Sequence, residues 1–196
     1  MKRYIVSNIA LAAFLGLFVY INIQAVFRTA DISYAFIAMN EAVFAVLFLL
    51  RKPAVSSSTS FLDWGVAFSA TFLGTLLRPA GALSAPFGRV LIDFGLIITI
   101  AGALSLGRSI SIVPAERTIK TAGLYRYVRH PMYISELISM IGYVLVNYSL
   151  GNVVIALCTT GLMIERIRRE ELFLSRNALY RSYVMNVYWK LIPFVY

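Results

Sequence analysis

Few side chains in this sequence are suited to acid–base or covalent chemistry, so each can be weighed singly. Its 196 residues include one histidine and one cysteine. His130 stands between Arg129 and Pro131; it is the side chain that normally titrates near neutral pH, and it can donate or accept a hydrogen bond. Proline keeps the preceding residue extended and favours the first position of a helix. That places His130 at a helix mouth, where free N–H groups and the helix dipole favour an anion. A ligand carboxylate or phosphate suits the position, with Arg129 adding charge; the competing reading is an Arg-His pair facing lipid headgroups. A lone histidine is a poor metal site, because zinc takes three or four N, S or O ligands. Cys158 alone allows neither an internal disulfide nor a cysteine-based zinc site, so no metal is expected.

Glu170 and Glu171 are adjacent and, on a helix, point about 100° apart, so they cannot aim at one atom. Arg166 with Glu170 and Glu165 with Arg169 are i,i+4 pairs, which predicts a salt-bridged solvated face. The functional reading has one glutamate facing a pocket beside Arg129 and His130 and the other paired outward. Tyr125, Tyr127, Tyr133, Tyr180, Tyr183, Tyr188 and Trp189 flank these charges. Such residues belong at a membrane interface, and one or two can stack on a purine or surround a cationic sulfur. Glu41, Asp63 and Asp93 fall within apolar runs. The latter two lie near helix starts, where dipole compensation accounts for them, whereas Glu41 is expected to face a bundle interior.

The elements that must position these residues are membrane helices. Sixty per cent of the chain is hydrophobic and 14% charged, with mean hydropathy +0.78; soluble domains carry about a quarter charged residues. The 27 aromatic residues exclude intrinsic disorder. A crossing takes about 20 apolar residues, and 17 can suffice. Spans are predicted near 4–27, 32–50, 61–77, 88–107, 132–147 and 151–174, the last running on into a charged helix. The first run is too long for the core of a signal peptide and lacks a small-residue cleavage site. The segment Asn147-Tyr148-Ser149-Leu150-Gly151-Asn152 has turn chemistry; without that turn, 132–174 would be one tilted helix and the count five.

Net charge is +9, which on a soluble protein would raise the question of nucleic acid. With six spans, Lys2, Arg3, Arg51, Lys52, Arg108, Arg117, Lys120, Arg126, Arg129 and the six basic residues after 165 share one side. That is 15 of 18, leaving Arg28, Arg78 and Arg89 opposite. The positive-inside rule puts both termini and the 108–130 loop in the cytoplasm, and no nucleic-acid partner is needed. The expectation is an all-α, polytopic bundle in the lipid bilayer. Residues 1–106 form its N-terminal helices. Residues 107–196 form one integrated catalytic region, with a cytoplasmic pocket between the 107–133 loop and the C-terminal helix.

The string GLYRYVRHPMY, at 123–133, followed by RREELFL, Tyr180, Tyr183 and Ile192-Pro193, resembles the isoprenylcysteine carboxyl methyltransferase family. That family lies within a broader group of small membrane methyltransferases that includes the phospholipid methyltransferases. The resemblance covers about 104–194. It implies S-adenosylmethionine as cofactor, entering from the cytoplasm, and a lipophilic or small methyl acceptor. Carried over by residue, it assigns cofactor binding to Ile119, Lys120, Gly123, Tyr125, His130, Pro131, Tyr133, Glu170 and Glu171, and catalysis to Arg129 and Glu170. Where the family commonly has His-x-Leu-Val, this chain has Arg117-Thr118-Ile119-Lys120. Glu136, three residues after Tyr133, is shared with membrane sterol and steroid reductases, which use NADPH and have a similar RHP-x-Y signature. That activity is the main alternative, and a transporter or scaffold without catalysis is the second. The acceptor (carboxylate, thiol or amine) and the oligomeric state stay open.

Overall fold

The computed structural model describes residues 2–30, 32–80 and 85–196. The described chain is mostly helical: α1 (Lys2–Thr29), α2 (Ser33–Leu50), α3 (Phe61–Phe72), α4 (Pro86–Leu106), α5 (Pro131–Val146), α6 (Leu150–Leu174) and α7 (Ala178–Asn186). One feature departs from the all-α expectation. Ser56–Ser57 (β1) pairs antiparallel with Ala115–Glu116 (β2), tying two loops at one end of the bundle.

Among the described residues, four helical stretches are long and apolar enough to cross a membrane: Ile5–Arg28, Ser33–Leu50, Pro86–Ser109 and Leu150–Leu174. Phe61–Leu76 and Pro131–Val146 are apolar but shorter. At about 1.5 Å per residue each reaches roughly 24 Å, less than the ~30 Å hydrocarbon core. Apolar side chains such as Phe14, Leu17, Ile21, Phe94 and Leu157 are exposed, a surface that lipid covers without cost and water does not.

The turn expected at 147–152 separates α5 from α6. Ser149 caps α6 by accepting the Asn152 N–H at 3.1 Å. The Asn152 amide donates to the carbonyls of Arg78 (2.8 Å) and Asn147 (2.7 Å), and its oxygen accepts the Arg78 N–H (3.0 Å). The 77–80 loop and the α5–α6 turn therefore share one end. At the other end Arg51 donates to Asn8 (2.6 Å), the Lys52 N–H to Arg108 O (3.0 Å), and the Arg129 N–H to Trp189 O (2.9 Å). That end holds the segments with 15 of the 18 basic residues.

Helix α4 lies against α5 closely enough that Gly95 has no room for a side chain. A Cβ there would meet Ser135 O at 2.6 Å and the Ser139 hydroxyl closer still. Small residues at such seams let backbones approach where lipid supplies no hydrophobic drive. Thr99 Oγ1 and Ser135 Oγ, 2.7 Å apart, share a hydrogen bond across the seam. Leu47, Phe48, Ala103 and Ile110 form the core between α2 and α4, and α6 packs along α3.

Candidate functional site

Pro131 is the first residue of α5, and His130 precedes it with φ −129° and ψ 60°, outside the helical region that proline disfavours but short of the extended backbone expected. The chain around the helix mouth is fixed by its own C-terminal segment. The N–H groups of Arg129 and His130 donate to the carbonyls of Trp189 and Lys190, both at 2.9 Å. Both side chains are buried, and both turn to Glu171 on α6. Arg129 Nη1 donates to Glu171 Oε2 at 2.9 Å, His130 Nε2 lies 3.0 Å from Oε1, and the Tyr180 hydroxyl donates to Oε1 at 3.2 Å. A second Arg129 nitrogen reaches Tyr188 O at 3.3 Å. Two buried basic groups thus surround one carboxylate, which is how buried charge is made tolerable. The pair of glutamates divides, but not with one paired outward as expected: Glu171 turns inward as the hub of this network, and Glu170, a step round the helix, accepts the Tyr133 hydroxyl at 2.8 Å.

Of the two i,i+4 pairs expected on α6, one forms. Arg169 bonds Glu165 at 2.7 Å, joins Asp63 of α3 at 2.9 Å, and leaves Arg168 to Glu165 as well. Asp63 thus serves as an inter-helix ion-pair partner rather than as a dipole compensator alone; Ser58 also donates to it. Arg166 does not bond Glu170. Its guanidinium reaches Thr71 Oγ1 (2.9 Å) and Ile112 O (2.6 Å) and lies over the Tyr133 ring, 5.1 Å from the centroid. These partners come from α3 and the 107–130 loop, so no spacing along α6 reveals them.

The 107–130 loop closes over the helix ends. Gly123 has φ +62° and packs on Ser105 of α4, where a Cβ would collide; only glycine takes that conformation cheaply. The turn Gly123–Arg126 buries Tyr125, whose carbonyl accepts the Tyr183 hydroxyl of α7 at 2.6 Å. Burial raises the Tyr125 and Tyr180 phenols above their ordinary range, helped by the carboxylates of Glu170 and Glu171 respectively. Tyr183 is pushed up to about 12, mainly by burial. All three remain protonated donors at physiological pH. Glu116 of β2 fastens the loop, accepting from Ser56 (3.0 Å) and Asn177 (2.5 Å).

Together these elements enclose a cavity of about 680 Å³. One end is polar, lined by Lys120, Tyr125, Arg129, His130, Tyr133 and Glu170, with Ile119, Tyr180 and Tyr183 beside them. The other opens among Phe14 and Phe18 of α1, Phe44 of α2 and Leu96 of α4. Glu41, expected to face the interior, is in this apolar wall, beside Asn40. Gly123, Pro131 and Glu171 do not line the cavity; they set the turn, the helix start and the orientation of Arg129 and His130. Arg166 and Glu136 line it although neither was expected at the pocket. Glu136 is legible in retrospect, one turn along α5 from Tyr133.

Fold and cavity define a helical membrane protein with a charged chamber open to an apolar one. Residues 83–181, from just before α4 into α7, match the family model for phospholipid methyltransferases. No curated protein matches the chain. With half its length matched, the chain belongs to the phospholipid methyltransferase family and is a membrane methyltransferase. Methyltransferases of this family generally use S-adenosylmethionine.

Proposed function

We propose that the protein transfers a methyl group from S-adenosylmethionine to a lipophilic acceptor, with the cofactor at the polar end of the cavity and that end facing the cytoplasm. The observation that carries this reading is the continuity of one cavity from charged to apolar walls. Small-molecule sites occupy roughly 300–1,000 Å³, and about 680 Å³ accommodates a cofactor and part of an acceptor.

The side chains present suit the cofactor's groups. Lys120 and the helix mouth at His130 suit its carboxylate, the free oxygen of Glu170 suits ribose hydroxyls or the amino group, and Tyr125 and Tyr133 present aromatic surface. When bound, the cofactor supplies an electrophilic methyl on a sulfonium. The protein's part is orientation and exclusion of water, and the buried Glu171 network provides it by fixing Arg129 and His130. The cofactor end of the site follows the motif shared with the isoprenylcysteine carboxyl methyltransferases on this reading, and the acceptor is a separate question that this motif does not decide. Both termini and the 108–130 loop lie inside the cell on this reading, because the basic end is the cytoplasmic end.

Calorimetry with the purified chain in detergent tests the proposal. S-adenosylhomocysteine is expected to bind and NADPH not to. Glu170→Gln is expected to weaken binding at least tenfold, since hydrogen bonds to charged groups contribute about 1.5–3 kcal/mol. Binding of NADPH but not S-adenosylhomocysteine would establish the reductase activity instead. Binding of neither would leave a non-enzymatic membrane role.

A further inference from the structure

Five glutamates lie beyond residue 107, and four have hydrogen-bond partners. Glu116 is held by Ser56 and Asn177, Glu165 by Arg168 and Arg169, Glu170 by Tyr133, and Glu171 by Arg129, His130 and Tyr180. Glu136 has no hydrogen-bond or ion-pair partner among the described residues, yet it lines the cavity. Helical residues three apart share a face, so Tyr133, Glu136 and Ser139 form one stripe of α5 along the cavity wall. Glu136 is about 4.5 Å deeper along the axis than Tyr133. It stands where the charged end, marked by the Tyr133–Glu170 bond, gives way to the apolar end at Leu96 and Phe44. The cation facing it is Arg166 of α6, whose terminal nitrogens are engaged by Thr71 and Ile112. An intramembrane carboxylate is costly to keep, and one left without a partner on a cavity wall is open to a ligand.

We propose that Glu136 is a catalytic residue that accepts the proton of the methyl acceptor, and that the acceptor is a thiol or amine on an apolar chain. The inference rests on the methyltransferase reading above. An acceptor that arrives as an ammonium first gives a proton to Glu136, which frees its lone pair; the lone pair of the amine or thiol then forms the new bond to the methyl carbon, and the carbon–sulfur bond of the sulfonium breaks with its electron pair going to sulfur. The proton of the S–H or N–H, taken by the Glu136 carboxylate, leaves to water through the polar end. A carboxylate acceptor carries no such proton, and Glu136 would repel it.

The test uses the full chain in detergent, S-adenosylmethionine, and decanethiol, decylamine and decanoate as acceptors. Wild-type protein is expected to methylate decanethiol or decylamine and not decanoate. Glu136→Gln is expected to lower kcat about 100-fold or more, the usual weight of a positioned base, with acceptor KM within a few-fold and S-adenosylhomocysteine affinity unchanged. Glu136→Asp should recover part of the rate. In cofactor-free protein, Glu136→Gln should weaken decylammonium binding about tenfold and leave decanol binding unchanged. The proposal is overturned if decanoate alone is methylated, if neither protic probe is, if the kcat of Glu136→Gln stays within threefold of wild type, or if decylammonium binds both proteins equally. Transfer of the rate loss to Glu41→Gln would also overturn it. Failure of wild-type protein to bind S-adenosylhomocysteine would refute the methyltransferase reading itself and is scored separately.

Discussion

Glu171 shows how one side chain shapes a site without lining it. It gathers Arg129, His130 and Tyr180, and removing its charge would leave a guanidinium buried without compensation. Breaking a buried pair by removing one partner costs about 3–5 kcal/mol, and the Arg129 and Glu171 side chains are 6% and 16% exposed. Glu171→Gln is therefore expected to lower the unfolding free energy by about that amount, measured by denaturant titration in detergent. A change under about 1 kcal/mol would show that the network contributes little. The sequence marked Glu170 and Glu171 as a pair with divided duties, because adjacent helical residues diverge. Which one faces the cavity was not legible, since it depends on how α6 is rotated against α3 and α5. Arg166 was misread for a related reason: its acceptors, Thr71 and Ile112 O, are distant in sequence and satisfy donors that would otherwise be buried unmet.

At the scale of elements, α5 and its mouth bring His130, Tyr133 and Glu136 to the cavity, and α4 decides where α5 lies. Their contact depends on small residues facing each other, with Gly95 against Ser135 and Ser139. Gly95→Ala forces a Cβ into Ser135 O at 2.6 Å, and overpacking of this kind costs about 1–3 kcal/mol. The variant should show a lower melting temperature and weaker S-adenosylhomocysteine binding, because shifting α5 moves His130, Tyr133 and Glu136 together. Unchanged values for both would mean that the seam yields freely. The existence of α1 to α6 was legible from apolar run length, and the α5 start from His130-Pro131; the separate α7, capped by Asn177 and without an apolar run, was not. The division of 132–174 was legible from Asn147 to Asn152, whose side chains make the bonds that hold the turn. The β1–β2 contact was not, because two-residue strands leave no periodic trace.

For the whole molecule, charge asymmetry and the site coincide. The end bearing the segments with 15 of 18 basic residues is also the polar end of the cavity; on the proposed function this gives the cofactor an aqueous approach and leaves the apolar end to the bilayer. Orientation can be checked in cells with a membrane-impermeant maleimide, after Cys158→Ser removes the native thiol. Tyr148→Cys, at an exposed residue of the α5–α6 turn, should label in intact cells. Val55→Cys, at an exposed residue beside β1, should label only after permeabilisation. The reverse pattern would place the polar end outside. Composition alone made the membrane setting legible. The joining of two chambers into one cavity was not, because it needs Leu96, Phe44 and Glu170 from three separate helices.

A structure of the S-adenosylhomocysteine complex would show where the cofactor sits relative to the acceptor's chamber. The expected result is ligand density at the polar end, against Lys120, Tyr125, His130 and Glu170, with the sulfur directed toward Glu136 and the apolar end. Density outside the cavity, or a sulfur directed away from the apolar end, would contradict the claim that cofactor and acceptor meet within this single cavity.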